Sequence, residues 1–334
     1  MRRRARALAV VTAAGLLAGG VGACGGSPGT PPAAESPTSA SMPSRTSTPT
    51  PSPTARPSAQ PGDPLTGGKV SGNPVIAVKV ENTSAARPQV GLSQADIVFV
   101  QEVEGAQTRL VAVYHSRLPT RLGPVRSART TDAQLLPLFG KPGLVYSGAN
   151  ARVQRTLERS SLVPVFRLTR DRRRGAPHNV FVDLRQVART QKLGKARPIG
   201  WTFAEKPSQP GRPVDRATSK VGNDTFDFGY AGGRYTVTWR GARYVDGDND
   251  AVTKADNVVV MRVRNVPDGN RDVLGSASVL SQTVGRGKVT VHRDGVRIDG
   301  TWSRVKPSAP LRFTASDNSE IALKPGQTWV TLQG

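Results

Sequence analysis

The pattern of apolar and polar positions predicts strands and helices that alternate in the first part of the chain. Residues 73–81, 95–100 and 108–114 are β-branched and alternate or run apolar, which is typical of strands. Helices are expected over three further stretches, residues 131–139, 149–159 and 183–191, the last capped by Asp183. Such mixing predicts an α/β layered domain, which we place at residues 73–198.

The pattern of apolar and polar residues changes after Trp201, where turn residues separate short alternating strands. The clearest unit is residues 288–302, because Asp294-Gly295 suits a two-residue hairpin turn. We expect residues 266–275 to form a loop. The predicted fold class is α+β: an N-terminal α/β layered domain followed by a smaller, mostly antiparallel β-rich domain at residues 199–334.

Residues 1–24 are predicted to be a lipoprotein signal peptide with a lipobox. Arginines precede an apolar run at residues 7–21, and small residues precede Cys24. The run is shorter than the roughly 20 strongly apolar residues of a membrane span. Cys24 is the only cysteine, so an intrachain disulfide is excluded. We expect Cys24 to carry lipid (diacylglycerol, palmitate) and to anchor the chain to the cell membrane, facing outside; the alternative is a buried free thiol.

The next segment, residues 25–72, is rich in Pro, Ser, Thr, Ala and Gly and holds few large apolar side chains. Such a composition cannot bury enough apolar surface to form a core. We therefore predict a disordered linker that lets the folded part stand away from the membrane.

The positive charge is concentrated in the middle of the chain. The formal net charge is +23, and residues 109–197 hold nineteen Lys or Arg against four Asp or Glu. In a cytosolic protein this imbalance would indicate nucleic acid, but the lipobox argues against it. Outside the membrane, the available polyanions are lipid head groups, wall phosphodiesters and carboxylated peptidoglycan.

The sharpest candidate for a binding site is an arginine-rich corner that holds Arg121, Arg126 and Arg129. The bend at Gly123-Pro124 leads from a predicted strand into a predicted helix, and guanidinium groups recognise carboxylate or phosphate. The predicted ligand-binding set is completed by Arg109 and Asn179. An equally weighted alternative is a structural network of these arginines with three carboxylates: Glu102, Glu104 and Asp132.

Candidate catalytic groups are fewer. Glu102 and Glu104 are two apart on a strand, so their side chains would lie roughly 6–7 Å apart on one face, a spacing that glycoside hydrolysis can use. His178 at a loop-to-strand junction could act as acid or base, or be structural. A serine nucleophile is not indicated, because Gly-x-Ser-x-Gly is absent and Ser127 has no base in sequence reach.

Metal and cofactor sites are not predicted. The three histidines stand far apart in the sequence, so a zinc site is not expected. Residues 246–250 resemble the start of a calcium loop, but the later glycine and glutamate positions fail. A turn rich in Asp and Gly explains this segment more simply, and calcium binding stays open.

Several blocks together resemble the YerB-like lipoprotein family, also called domain of unknown function 3048. The resemblance rests on residues 86–98, 104–109, 123–129, 177–179, 300–304 and 325–329. It implies an N-terminal α/β part and a C-terminal β-rich part on a surface lipoprotein, and it implies no reaction. One departure is Ala106, where a second glycine is expected.

The function expected from the sequence is a membrane-anchored extracytoplasmic lipoprotein that binds an anionic cell-envelope component or an acidic partner protein through its arginine-rich corner, without catalysis. Its expected partners are the membrane, through lipidated Cys24, and a cell-wall polymer or envelope protein, with no nucleic acid. The alternative is a cell-wall-active hydrolase that uses Glu102 or Glu104 with His178.

Overall fold

The structure, a computed structural model, describes residues 62–271 and 275–334. All of them belong to one compact unit. The predicted signal peptide, the predicted lipid attachment at Cys24 and residues 25–61 of the predicted linker lie outside the described residues. Among the described residues, no helix is both long and apolar enough to cross a membrane.

Within these two ranges the chain forms three helices and twenty strands. The helices are α1 (Thr130–Leu135), α2 (Ala151–Glu158) and α3 (Leu184–Thr190). The first seven strands are β1 (Ile76–Glu81), β2 (Ile97–Glu102), β3 (Thr108–Tyr114), β4 (Gly143–Val145), β5 (Val163–Val165), β6 (Thr169–Arg170) and β7 (Val180–Phe181). The others are β8 (Arg212–Pro213), β9 (Arg216–Val221), β10 (Asp224–Ala231), β11 (Arg234–Trp239), β12 (Ala242–Arg243), β13 (Lys254–Ala255), β14 (Asn257–Arg262), β15 (Arg264–Arg271), β16 (Ala277–Gln282), β17 (Gly285–Arg293), β18 (Val296–Arg304), β19 (Arg312–Ala315) and β20 (Thr328–Gln333).

One eleven-stranded sheet runs through both parts of the chain. Its order is β19-β18-β17-β14-β20-β2-β3-β1-β4-β5, with β8 added beside β18. The last strand, β20, lies between β14 and β2 and is parallel to both. A five-stranded sheet (β12-β11-β10-β9, with β13 beside β11) and two hairpins complete the strands. The strands of residues 73–198 therefore share a sheet with strands from the second half of the chain.

Alternation along β2 divides the core between the two faces of this sheet. Ile97 and Phe99 join a cluster with apolar side chains of α1 and α2, while Val98 and Val100 join a cluster with α3 and the five-stranded sheet. The layered arrangement follows from this two-sided burial, because a strand that is apolar on both faces must be covered on both.

The predicted fold class is confirmed in part. The chain is mostly β, and its helices are only six to eight residues long. A correction concerns residues 266–275, which we expected to be a loop, because β15 instead pairs with β16 in a hairpin. The domain boundary at residue 198 stays a prediction.

The packed chain begins earlier than residue 73. Leu65 is fully buried, and Asp63 accepts hydrogen bonds from the Leu65 and Thr66 backbone N–H groups. Asp63 also pairs with His115 at the end of β3, at 3.0 Å between Oδ2 and Nε2. Residues 62–72 are thus held against the main sheet.

Strand directions bring several chain ends to one edge of the main sheet. β1 and β2 are both antiparallel to β3, so they run in the same direction, and β4 is parallel to β1. The carboxyl ends of β1, β2 and β4 therefore lie on one side. In open α/β sheets, ligands bind outside the carboxyl ends of the strands.

Candidate functional site

A cleft with a volume of about 380 Å³ lies at this edge. Four arginines line it: Arg109, Arg126, Arg129 and Arg271. We call it the basic cleft. Its floor is close to the carboxyl ends of β1 and β2, and its wall includes Asn150, the residue that caps α2. The concave shape and the excess of guanidinium groups are the features expected of an anion site.

The segment after Gly123-Pro124 carries two of these arginines to the cleft. Arg126 is fixed against β1, because its backbone N–H donates to the carbonyl of Lys79 at 2.9 Å. The turn itself requires glycine: a Cβ on Gly123 would lie 2.6 Å from the carbonyl oxygen of Val180. A larger residue at Gly123 would therefore displace the whole segment.

Arg129 is held by Glu104. Its Nε and Nη2 both donate to Oε2 of Glu104, at 2.8 and 2.7 Å. Burial opposes ionisation of Glu104, but the hydrogen bonds and charge of Arg129, together with the charge of Arg109, lower the pKa of the carboxyl. Glu104 is therefore an ionised structural partner of Arg129 at neutral pH, as the network alternative expects.

A buried ion pair lies beneath Arg129. Lys79 Nζ is 2.8 Å from Oδ1 of Asp132, and both side chains are fully buried. Burial lowers the pKa of Lys79 to about 8, although Asp132 offsets part of the effect. The second oxygen of Asp132 accepts the backbone N–H of Arg129 at 2.7 Å and so fixes the start of α1.

Arg109 is the most deeply buried of the four arginines of the basic cleft. It projects from the beginning of β3 and is 9% exposed, yet its Nε and Nη1 have no hydrogen-bond partner among the described residues. Burial, followed by repulsion from Arg129 and Arg126, lowers the pKa of Arg109 to about 10. It remains charged at neutral pH, so a buried cation faces the cleft without a complete set of acceptors.

Arg126 is only loosely paired. Its Nε lies 3.4 Å from Oε1 of Glu81, without the geometry of a hydrogen bond. Glu81 is 1% exposed at its side chain and also contacts His178, at 2.9 Å between Oε2 and Nδ1. His178 therefore does not line the cleft. It contacts Glu81, which lies near Arg126 of the cleft.

Two predicted ligand-binding residues lie apart from the basic cleft. Arg121 forms ion pairs with Asp171, at 2.5 Å, and with Asp248, and its guanidinium covers the ring of Phe181. Asn179 accepts a hydrogen bond from Arg170 at 3.1 Å. The expected gathering of Arg121 with Arg126 and Arg129 is thus corrected, because the turn at residues 123–124 separates them.

The two candidate carboxylates do not face each other in the cleft. Glu102 accepts a hydrogen bond from Nδ2 of Asn265 at 2.8 Å, and burial raises the pKa of Glu102. Glu104 lines the cleft, whereas Glu102 does not. The shared strand face expected for them is interrupted, since a 3₁₀ turn begins at Glu104 directly after β2.

The acidic segment at residues 246–250 bonds within the protein. Asp246 accepts the backbone N–H of Gly91 at 2.7 Å and that of Asp248 at 3.0 Å. Asp248 pairs with Arg121. Within residues 62–271 and 275–334, no group of three or more His, Cys, Asp or Glu side chains is placed to hold a metal ion.

Several residues of the site carried no signal in the sequence. Arg271 reaches the cleft from β15, a segment predicted to be a loop, and Asn150 and Gln107 line it from two turns. The sequence pattern indicates Glu81 only as the last residue of a predicted strand. A residue that reaches a site through long-range strand pairing has no local pattern to reveal it.

Comparisons with known proteins agree on one family. The N-terminal domain of the protein family of unknown function DUF3048 matches residues 62–197, and its C-terminal domain matches residues 214–330. The protein named "Putative lipoprotein YerB" from Bacillus subtilis (strain 168) is 27% identical over 297 residues, covering 80% of this chain and 85% of that one. The crystal structure of the YerB protein from Bacillus subtilis has a TM-score of 0.66 at 24% identity and covers 80% of this chain and 95% of that one.

Proposed function

Because this chain belongs to the DUF3048 family, we propose that it is a lipid-anchored protein of the cell envelope whose basic cleft binds an anionic group outside the membrane. The lipobox ending at Cys24 and the lipoprotein name of its Bacillus relative support the anchor. The long Pro, Ser and Thr segment that follows would let the folded part reach away from the lipid.

The single observation that carries the binding proposal is the state of Arg109. A guanidinium with two unpartnered nitrogens in a nearly buried position costs free energy, because each donor has lost water without gaining an acceptor. Two further arginines beside it add repulsion. An anion in the cleft would supply acceptors and offset that repulsion, so the cleft is suited to a negatively charged ligand.

We favour binding over hydrolysis because of the way in which the three candidate catalytic groups are arranged. Glu104 is occupied by Arg129, Glu102 lies outside the cleft, and His178 is turned toward Glu81. Hydrolysis of a glycosidic bond typically needs a carboxylic acid and a second carboxylate that flank the scissile bond. Among the residues that the structure describes, the lining of the cleft offers one carboxylate, that of Glu104, and it is held in an ion pair.

The proposal is tested by binding of the full-length protein, anchored in vesicles of neutral phospholipid, to purified cell wall and to separate vesicles of anionic phospholipid. We expect Arg126→Ala to weaken binding to one of these targets at least tenfold at about 50 mM salt, because it removes a partly exposed cation of the cleft. Labelled peptidoglycan should not be turned over by the unaltered protein.

The matched control is Arg167→Ala, since Arg167 is exposed and makes no ion pair within the described part of the chain. If the two substitutions weaken binding equally, the general positive field is responsible and the cleft is not. If neither target binds, or if peptidoglycan is cleaved, the proposal is wrong.

A further inference from the structure

We infer that the anion held by the basic cleft is a doubly charged phosphomonoester attached to a sugar-sized group. This inference rests on the proposed function and names the ligand class of the same site. Three features lead to it: the balance of charge in the cleft, the directions from which its donors come, and the neutral polar side chains beside them.

The charge balance favours a dianion. Four guanidinium groups line the cleft, and the carboxylates in contact with them are Glu104, bonded to Arg129, and Glu81, near Arg126. Among the described residues this leaves two positive charges without a partner. A phosphomonoester carries −1.5 to −2 at pH 7, whereas a phosphodiester or a single carboxylate carries about −1 and would leave the cleft positive.

Donors approach the cleft from several elements. Arg109 comes from β3, Arg126 comes from the segment beside β1, and the N-terminus of the eight-residue helix α2 adjoins the cleft through Asn150. Asn150 accepts the N–H of Val153, and the positive end of the helix dipole beside it favours a negatively charged group such as phosphate. Three phosphoryl oxygens can accept from donors on several sides, while the two oxygens of a carboxylate lie in one plane.

The size and the neutral lining of the cleft indicate what the phosphate is attached to. Its volume of about 380 Å³ lies in the range of small-molecule pockets, about 300–1,000 Å³. Gln107 and Ser127 line it, and within the described residues their side chains make no hydrogen bond. Side chains of this kind can donate to and accept from sugar hydroxyls.

Isothermal titration of the full-length protein in detergent tests the inference with four probes at equal ionic strength. The probes are a hexose 1-phosphate, inorganic phosphate, a methyl diester of the same sugar phosphate, and succinate. At about pH 7.5 we expect the hexose 1-phosphate to bind at least tenfold more tightly than the diester and succinate, since it alone combines two charges on one phosphoryl group with a sugar.

Two pairs of variants locate the contacts. Arg109→Met should abolish binding of both the sugar phosphate and inorganic phosphate, while Arg167→Met should leave both unchanged. Ser127→Ala and Gln107→Leu should weaken the sugar phosphate severalfold and leave inorganic phosphate unaffected. If Arg109→Met does not fold, Arg126→Ala should give at least a tenfold loss for both phosphates.

The outcomes separate the inference from the proposal on which it rests. Equal or tighter binding of succinate or of the diester would overturn the phosphomonoester assignment and leave anion binding in place. Inorganic phosphate binding as tightly as the sugar phosphate would overturn the sugar-sized group. If no probe binds and wall and vesicles also fail to bind, the proposed function fails as well.

Discussion

The buried side chain of Arg109 lowers the stability of the fold and is suited to bind an anion. Its guanidinium is buried and repelled by two other arginines, and two of its nitrogens have no acceptor within the described part of the chain. A buried donor without a partner costs about 1–3 kcal/mol. An apolar residue of similar length at this position would avoid that cost, so the arginine is better explained by what it can bind than by what it stabilises.

We expect Arg109→Met to raise the free energy of unfolding by about 1–3 kcal/mol in a buffer free of multivalent anions. The thioether side chain fills much of the same volume and leaves no donor unpaired. Urea denaturation measures the difference, with Arg167→Met as the exposed control. A loss of stability in Arg109→Met alone would mean that Arg109 supports the fold.

His115 and Asp63 form a second buried contact with a consequence for pH. Burial opposes both charges, but the contact with His115 and the Leu65 N–H together lower the pKa of Asp63, and the contact with Asp63 together with the charge of Asp96 raises the pKa of His115. The contribution of His115 is complete below about pH 6.5 and is lost as pH rises through its raised pKa. The contribution of Asp63 is complete above about pH 3.8 and is lost as pH falls through its lowered pKa.

Between pH 6 and pH 9, the unaltered protein should therefore lose more stability than His115→Gln. Urea unfolding of both proteins at the two pH values measures the difference. His292, whose pKa is lowered to about 4 by burial, titrates in both proteins and cancels in the comparison. Equal pH dependence of the two proteins would show that the pair does not link the chain start to the sheet.

At the scale of elements, α2 combines a structural and a binding role at one residue. Asn150 accepts the backbone N–H of Val153 at 2.9 Å and so caps the helix, while it also lines the basic cleft. Val153 and Leu157, four residues apart, bury one face of the helix. The position of this cap therefore affects both helix stability and the electrostatics of the cleft.

Two substitutions at Asn150 should separate these roles. Asn150→Ala should lower the free energy of unfolding by about 1 kcal/mol, since the cap is lost. Asn150→Asp should preserve stability, because Asp caps as well as Asn, yet weaken anion binding severalfold by adding a negative charge. Thermal unfolding and titration with inorganic phosphate measure the two effects, and unchanged affinity in Asn150→Asp would place the anion elsewhere.

Local pattern was enough to predict most elements of the first half. The helices α1, α2 and α3 and the strands β1 to β3 lie within a few residues of the predicted ranges, since each has apolar side chains with a clear period. The hairpin of β17 and β18 turns at Asp294-Gly295 as predicted, with both residues at positive φ.

The segment of β15 could not be predicted in this way. Pro267 and Gly269 interrupt it and its side chains do not alternate, so the sequence favours a loop. Tertiary contacts hold the strand instead: Asp268 accepts hydrogen bonds from Thr130, at 2.7 Å, and from Ser278, at 3.2 Å. Arg271 reaches the cleft only because of this hairpin.

Part of the candidate site was visible in the sequence because Arg126 and Arg129 are neighbours in the chain. Arg121 is also nearby in the sequence, but it lies on the other side of the Gly-Pro turn, where it pairs with two carboxylates. Residues that are close in the sequence are also close in space, but the sequence does not show on which side of a turn each side chain lies. The unpaired state of Arg109 depends on packing and had no sequence signal.

At the scale of the whole molecule, β20 joins the two halves. It contributes parallel ladders to β14 on one side and to β2 on the other, and Val330 is fully buried between them. Removing β20 would leave β2 as an unpaired, apolar edge in the middle of the main sheet. The halves should therefore depend on each other for stability.

We expect the full chain to unfold in one cooperative transition over residues 62–334. Hydrogen exchange should give similar opening free energies for amides in β1 to β3 and in β14 and β17. A fragment that ends at residue 198 should fail to reach native protection in β2, and a chain that ends at residue 326 should behave in the same way. Native protection in either fragment would show that the first half folds alone.

The place of β20 between β14 and β2 also has a consequence for the order of folding. Until Thr328–Gln333 have joined the main sheet, no ladder connects β2 with β14. Pairing between segments so far apart in the sequence carries a large loop-closure cost, so we expect closure of the sheet around β20 to be a late step of folding.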